Sequence, residues 1–253
     1  MLHGIQANIR DFYERMYWAV PDAKVERGEG YVLSYSGKSW LSGANQLWLD
    51  DPRVFGVSLL DYSVRFFRPV MAEWTIFVMP ELFPELKAHI MRLGGYVRWS
   101  NPVMLLQGRP HVETVAAEAE IDGVRGYFLR NLARNVMGEA FHMENSINRN
   151  MVRAEHDDDP HVHHYLAYFQ AHPGAAATMT YTDGMAGIWN VGTRRMFRRR
   201  GLAQALMARM LSDAAAAGYD RSMLLASNQG RPLYRKLGYE IVAQAFYMGV
   251  APY

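Results

Sequence analysis

Two segments of this chain end alike: WTIFVMP runs on to RLGGYVRW, and SMLLAS runs on to KLGYEIV. In both, a short apolar strand leads into a helix, a Leu-Gly pair, an aromatic residue and another strand. A second echo precedes each one. Arg53-x-x-Gly56-x-Ser58 and Arg198-x-x-Gly201-x-Ala203 stand at nearly equal distances before Gly94 and Gly238. A repeat at this scale predicts two halves of one architecture, produced by a diverged duplication. The pattern alternates strands and helices, so the fold class is α/β (mixed α+β), with a central mixed sheet flanked by helices.

In the first half the periodicity predicts a helix near 4–19, a polar loop PDAKVERGEG, strands YVLSYS and NQLWL, and a helix over 52–68. Strand WTIFVMP, helix ELFPELKAHIMRLG and strands YVRW and VMLL complete it. The linker falls at QGRPHVE, 107–113, where Gly and Pro break the pattern. The domains expected are therefore 1–110 and 114–253. In the second, ETVAAEAEI reads as a strand, RGYFLRNLARNVMGEAFHM as a helix and AEHDDDPHVH as a polar loop. HYLAYFQ and AAATMTYT read as hairpin strands, followed by an Asp183-Gly184 turn and strand GIWNVGT. A helix over 201–217 has apolar residues at 202, 203, 206, 207, 210 and 211, with Gly218 as its C-cap. SMLLAS, a helix RPLYRKLG with Pro232 in its first turn, and the strands of YEIVAQAFYMGV close the chain.

Composition narrows the function. A net charge of +2 across 253 residues is far from the footprint of a dedicated nucleic-acid binder. With no cysteine there is no disulfide, thiolate metal site or cysteine nucleophile, which fits a reducing compartment. Asp11 and Glu14 interrupt the apolar pattern at the start of the chain, and no segment reaches the ~18 apolar residues of a membrane span. The expectation is a cytoplasmic protein.

The stretch TRRMFRRRGLAQALM carries five arginines, Arg194, Arg195, Arg198, Arg199 and Arg200, just before Gly201. A strand enters an arginine-rich turn, and the turn enters a helix whose first amides and positive dipole end form an anion site. Gly201 removes a Cβ from the approach, Ala203 keeps the next turn slim, and guanidinium forks suit phosphate oxygens. A polyphosphate fits. The Lys-Ser/Thr of a Walker loop is missing, and one glycine does not make a dinucleotide fingerprint. The competing reading of an arginine run is a solvated face.

GIWNVGTRRMFRRRGLAQALM followed by MLLASNQGRPLYRKLGYE resembles the GNAT superfamily of acetyl-CoA-dependent N-acetyltransferases. Arg198-x-x-Gly201-x-Ala203 is similar to the family's Q/R-x-x-G-x-G/A pyrophosphate loop, and Leu233-Tyr234-Arg235-Lys236-Leu237-Gly238-Tyr239 to its closing segment. The resemblance covers about 114–253; residues 1–110 resemble the degenerate N-terminal partner of tandem members. It implies that acetyl-CoA is bound by Arg198, Arg199, Arg200, Gly201, Leu202 and Ala203 at the pyrophosphate. Val191, Gly192 and Thr193 match the strand end that binds pantetheine, and Asn228 the residue beside that arm. Tyr234 takes the place of the general acid. Arg195 stands where family members often carry a proline, which bears on the geometry of the turn.

The base that receives the amine proton is open among Glu139, His142, Glu144 and a water chain, with Glu144 the candidate taken forward. Asp183 belongs to a hairpin turn. His161, His163 and His164 lack a regular ligand spacing and read as a solvated loop, so no metal is expected. The acceptor is an amine, on a small molecule or a peptide, and the chain acts as a monomer or homodimer without nucleic acid or membrane. The alternative function is a non-catalytic acyl-CoA-binding or sensing protein.

Overall fold

The computed structural model describes residues 1–108, 110 and 119–250. Helix α1 (Leu2–Tyr13) is followed by β1 (Lys24–Gly28), β2 (Tyr31–Tyr35), β3 (Gln46–Leu49), α2 (Val57–Phe67), β4 (Thr75–Val78), α3 (Leu86–Arg92) and β5 (Gly95–Gln107). Then come β6 (Ala119–Gly123), α4 (Gly126–Phe141), α5 (Asn145–Met151), β7 (Val162–Phe169), β8 (His172–Thr182), β9 (Met185–Thr193), α6 (Leu202–Ala216), β10 (Arg221–Leu225), α7 (Arg231–Lys236) and β11 (Glu240–Val250).

The chain divides into two compact units, and neither is a continuous segment. Of the described residues, the larger contains 3–12 and those from 104 to 240, the smaller 13–103 and 241–250. The division falls between Val103 and Met104 instead of at the Gly/Pro linker, because β5 runs without a break to Gln107. Arg109 and residues 111–113 of that linker, and most of the strand expected from ETVAAEAEI, lie outside the described residues.

In the smaller unit the strand order is β1-β2-β3-β4-β11-β5. β1, β2 and β3 are antiparallel, β3 and β4 are parallel, and β11 is antiparallel to β4. Leu33, Leu47, Phe67, Ile76 and Ile90 are at the centre of its apolar core. In the larger unit the order is β5-β10-β9-β8-β7-β6, with β6 to β9 antiparallel and β9 parallel to β10. Both units thus carry an antiparallel run, one parallel pair joined through a helix, and a flanking strand.

The core of the larger unit packs α6 on β7, β8 and β9. Leu202, Ala205, Leu206, Met207, Met210 and Leu211 are buried, and Ala175 and Ala177 of β8 keep the sheet surface low beneath them. Arg209 faces outward, paired with Asp213 at 3.0 Å. α1 joins this unit through Asn8, whose amide donates to the carbonyls of Thr182 and Met185, and through Phe12, stacked 4.3 Å from Trp189.

Several local expectations shift. The helix read over 52–68 is a 3-10 turn at Pro52–Val54 followed by α2. The polar loop PDAKVERGEG contains β1. α4 stops at His142, which takes a left-handed conformation (φ 54°), and α5 begins three residues later. The Asp183-Gly184 turn is as expected, with both residues at positive φ.

Candidate functional site

The site begins with an irregularity in β9. Ala176 pairs with Gly192 but Thr178 pairs with Trp189, so Asn190 and Val191 together oppose Ala177. This is a β-bulge, and Asn190 absorbs the kink at φ 52°. Asn tolerates that region better than most residues, because its short polar side chain bonds locally. On the other side, β9 pairs with β10 from Ala186 through Ile188 and no farther. Beyond the bulge the two parallel strands separate, and Val191, Gly192 and Thr193 line the gap.

That gap is a cavity of about 370 Å³. Gly192 and Thr193 form one wall, while Ser227, Gln229, Leu233 and Tyr234 form the other. Ala140 and Phe141 close it from the end of α4. The approach depends on Gly192: a Cβ there would stand 2.5 Å from Phe141 Cε2 and 2.9 Å from Ala140 Cβ. The mouth is formed by Phe197, Arg198, Arg199 and the first residues of α6. Gly201 is the N-cap of α6 at φ 80°, a left-handed conformation natural to glycine, and no side chain caps the first turn. Its backbone donors are thus offered at a helix N-terminus, where an anion is stabilised.

The arginines divide by task. Arg198 and Arg199 line the cavity, Arg199 at φ 62° and Arg198 with its Nε donating to the Thr193 carbonyl at 3.3 Å. The Arg200 guanidinium lies 4.6 Å from the centre of the Phe169 ring. Arg194 is held in the framework: it bonds the Pro173 carbonyl at 3.0 Å and pairs with Glu139 at 2.8 Å. Arg195 begins a 3-10 turn, Arg195–Phe197, that takes the chain from β9 into the loop without a proline.

Tyr234 is the one titratable cavity residue with a large shift among those described. It is 8% exposed in the short helix α7, and burial pushes its phenol up to about 12. At neutral pH it therefore keeps its proton and can donate it. Among the described residues, no Asp, Glu or His lines the cavity.

Residues 181–242 match the model of the acetyltransferase (GNAT) domain. A GCN5-related N-acetyltransferase from Kribbella flavida superposes with a TM-score of 0.72 at 19% identity, over 98% of this chain and 95% of that one. A tandem GNAT protein from the clavulanic acid biosynthesis pathway gives 0.65 at 14% identity, over 93% and 86%. A GCN5-related N-acetyltransferase from Sphaerobacter thermophilus gives 0.62 at 17% identity, over 88% and 81%. The fold is the GNAT fold. The tandem arrangement fits as well, since the likeness runs through both halves of the chain. No curated protein matches the sequence.

Within this GNAT fold the structure gathers most of the sequence-predicted residues. Val191, Gly192, Thr193, Arg198, Arg199, Gly201, Leu202, Ala203 and Tyr234 all line the cavity. Arg200, turned onto Phe169, does not. Asn228 is exposed and outside the wall, and its neighbours Ser227 and Gln229 line the cavity instead. Ser227 Oγ accepts from the Gly230 amide at 3.1 Å, fixing the turn into α7.

The expected base is not brought in. Glu144 is exposed at the N-cap of α5, with its carboxylate 3.5 Å from Ser146 Oγ, and the left-handed His142 turns the chain away before it. Glu139 is committed to Arg194. The solvated-loop reading of the histidines fails for His164, which is buried in β7. Its Nε2 lies 2.9 Å from His156 Nδ1 and its Nδ1 2.9 Å from Thr178 Oγ1. Burial holds its pKa well below the ordinary value, so it stays neutral. Among the described residues no cluster of metal-ligating side chains occurs, and no helix is long and apolar enough to cross a membrane.

Sequence reasoning missed Ala140, Phe141, Phe197, Gln204, Ser227, Gln229 and Leu233. Phe141 reaches the site from α4, far away in sequence, where no local pattern marks the approach.

Proposed function

We propose that this chain is an acetyl-CoA-dependent N-acetyltransferase that passes an acetyl group to a primary amine by direct attack on the thioester. The observation that carries this reading is one cavity that joins a bulge-split strand pair, a helix N-terminus opened by a left-handed glycine, two arginines and a buried protonated phenol. Acetyl transfer from acetyl-CoA is the general reaction of the GNAT family.

Each part of the cavity answers one need of that chemistry. The amides of Leu202 and Ala203 with the guanidinium groups of Arg198 and Arg199 suit a pyrophosphate. Backbone groups of Val191, Gly192 and Thr193, beyond the reach of the β9–β10 pairing, suit the amide-bearing pantetheine arm and the carbonyl to be polarised. Tyr234 donates its proton to the sulfur as the C–S bond breaks, and recovers one from water. The amine nitrogen forms the new bond to the carbonyl carbon and releases its own proton. With no carboxylate or imidazole in the wall, that proton goes to water, and neither Glu144 nor Glu139 is required. The acceptor is a small-molecule or peptide amine, and the larger unit carries the reaction.

Calorimetry with acetyl-CoA tests the binding half of the proposal. The wild type should bind with an affinity that falls as salt rises, since arginine–phosphate attraction is screened. Gly201→Val should abolish binding by forcing a branched residue to φ 80°. Arg198→Glu/Arg199→Glu, which leaves the turn's glycine in place, should weaken it strongly. Undiminished affinity in either variant overturns the assignment.

A further inference from the structure

The smaller unit contains a cavity of about 490 Å³, larger than the one at the arginine loop and unconnected with the proposed chemistry. It lies where α2 ends and β4 begins. Phe67 and Trp74 stack there, ring centres 4.9 Å apart and planes 14° from parallel, so the buried Phe67 backs Trp74 as the aromatic wall. Tyr96 forms part of the rim. Its ring lies directly on the β11 backbone, where a Cβ at Gly249 would come within 2.6 Å of Tyr96 Cζ. Its volume falls within the range of small-molecule sites.

The polar groups of this cavity are unequal. Arg98 is ion-paired to Glu73 and so is neutralised locally. Arg68 also lines the cavity, and among the described residues it makes no ion pair and no side-chain hydrogen bond. The C-terminus of α2 brings a partial negative charge to the same place. Anion recognition therefore rests on the fork of Arg68, not on a broad positive field. Met71 stands at the rim, 87% exposed and held at φ 47°. Non-glycine residues in that region cost energy and cluster at ligand clamps, and an unbranched thioether adapts to the face of a planar guest. The corresponding helix end in the larger unit, at Gly218, differs: its Arg221 has Asp220 at 3.6 Å.

We propose that this cavity binds a small aromatic carboxylate, its ring against Trp74, which Phe67 backs, and its carboxylate on Arg68. The smaller unit then has a ligand site of its own, independent of acetyl-CoA.

Titration calorimetry on the full chain tests this with 2-naphthoate, its neutral analogue 2-naphthamide, and the cation 2-naphthylmethylammonium. We expect saturable binding of one naphthoate per chain, undisturbed by saturating acetyl-CoA. The amide should bind about tenfold to a hundredfold more weakly, the range set by one charge-assisted hydrogen-bond pair. Arg68→Gln, an exposed substitution that leaves the core intact, should lose the same factor for naphthoate while binding acetyl-CoA as the wild type does. Absence of saturable naphthoate binding, equal affinity in Arg68→Gln, tighter binding of the ammonium, or competition by acetyl-CoA would each overturn the proposal.

Discussion

At the scale of single residues, the proposed reaction turns on the Tyr234 phenol. Burial raises its pKa to about 12, so the proton needed by a departing thiolate is present throughout the working range of pH. Tyr234→Phe removes one hydroxyl and little volume, so fold and acetyl-CoA affinity should hold while turnover falls by about 10²–10⁴, the usual worth of a general acid. The pH profile gives a second reading. Without an Asp, Glu or His in the cavity wall, kcat/KM should rise with pH only as the acceptor amine loses its own proton. No descending limb from Tyr234 should appear below about pH 11. Glu144→Gln should leave turnover within a few-fold of the wild type. A rate unchanged in Tyr234→Phe, or one lost in Glu144→Gln, would reverse these roles. The place of Tyr234 in the cavity was legible because a motif surrounds it. That Glu144 stands outside the cavity was not legible, because nearness in sequence to the end of α4 says nothing about the left-handed turn at His142.

Among the elements, the bulged β9 makes the site, and it shows where sequence reading stops. GIWNVGT reads as a strand from its apolar alternation, and the glycine-led helix after it from the periodicity of α6. The extra residue at Asn190–Val191 exists only relative to the register of β8, so the strand's own pattern could not reveal it. α5 was hidden for a similar reason, since a left-handed histidine leaves no local signal. The role of Gly192 depends equally on a distant partner. Gly192→Ala would place a methyl 2.5 Å from Phe141 Cε2, and overpacking of this kind costs about 1–3 kcal/mol. We expect a lower melting temperature and weaker acetyl-CoA binding, with stability recovered only in part when Phe141→Ala is added, since the contact with Ala140 Cβ at 2.9 Å persists. Gly192→Ala with the wild-type melting temperature and affinity would show that the end of α4 does not pack on the strand.

For the whole molecule, the repeat in the sequence correctly announced two related architectures but not how the chain is shared between them. The Gly/Pro linker drew attention to 107–113, whereas the larger unit needs Met104 and Leu106 in its core and α1 from the far end of the chain. No local pattern marks that α1 belongs there. The smaller unit should take no acetyl-CoA. In its echo of the arginine loop, Asp51 accepts from the Arg53 amide at 2.9 Å and from the Arg53 guanidinium at 2.7 Å, so a built-in carboxylate already uses the donors a phosphate would need. Ile90, the counterpart of Tyr234, is buried and carries no proton to give. One acetyl-CoA should therefore bind per chain. Residues 114–253 expressed alone should be insoluble or inactive. They lack Asn8, which bonds the ends of the β8–β9 hairpin, Phe12, which stacks on Trp189, and Thr182's partner Asp11 at 2.6 Å. Phe12→Ala in the full chain isolates the same effect and should cost about 3–5 kcal/mol, as deletion of a buried aromatic ring does. Chemical denaturation of that variant, beside calorimetric stoichiometry of the wild type, checks both parts. Two acetyl-CoA molecules per chain, a fully active 114–253 fragment or an unshifted Phe12→Ala midpoint would refute this account of how the units are built.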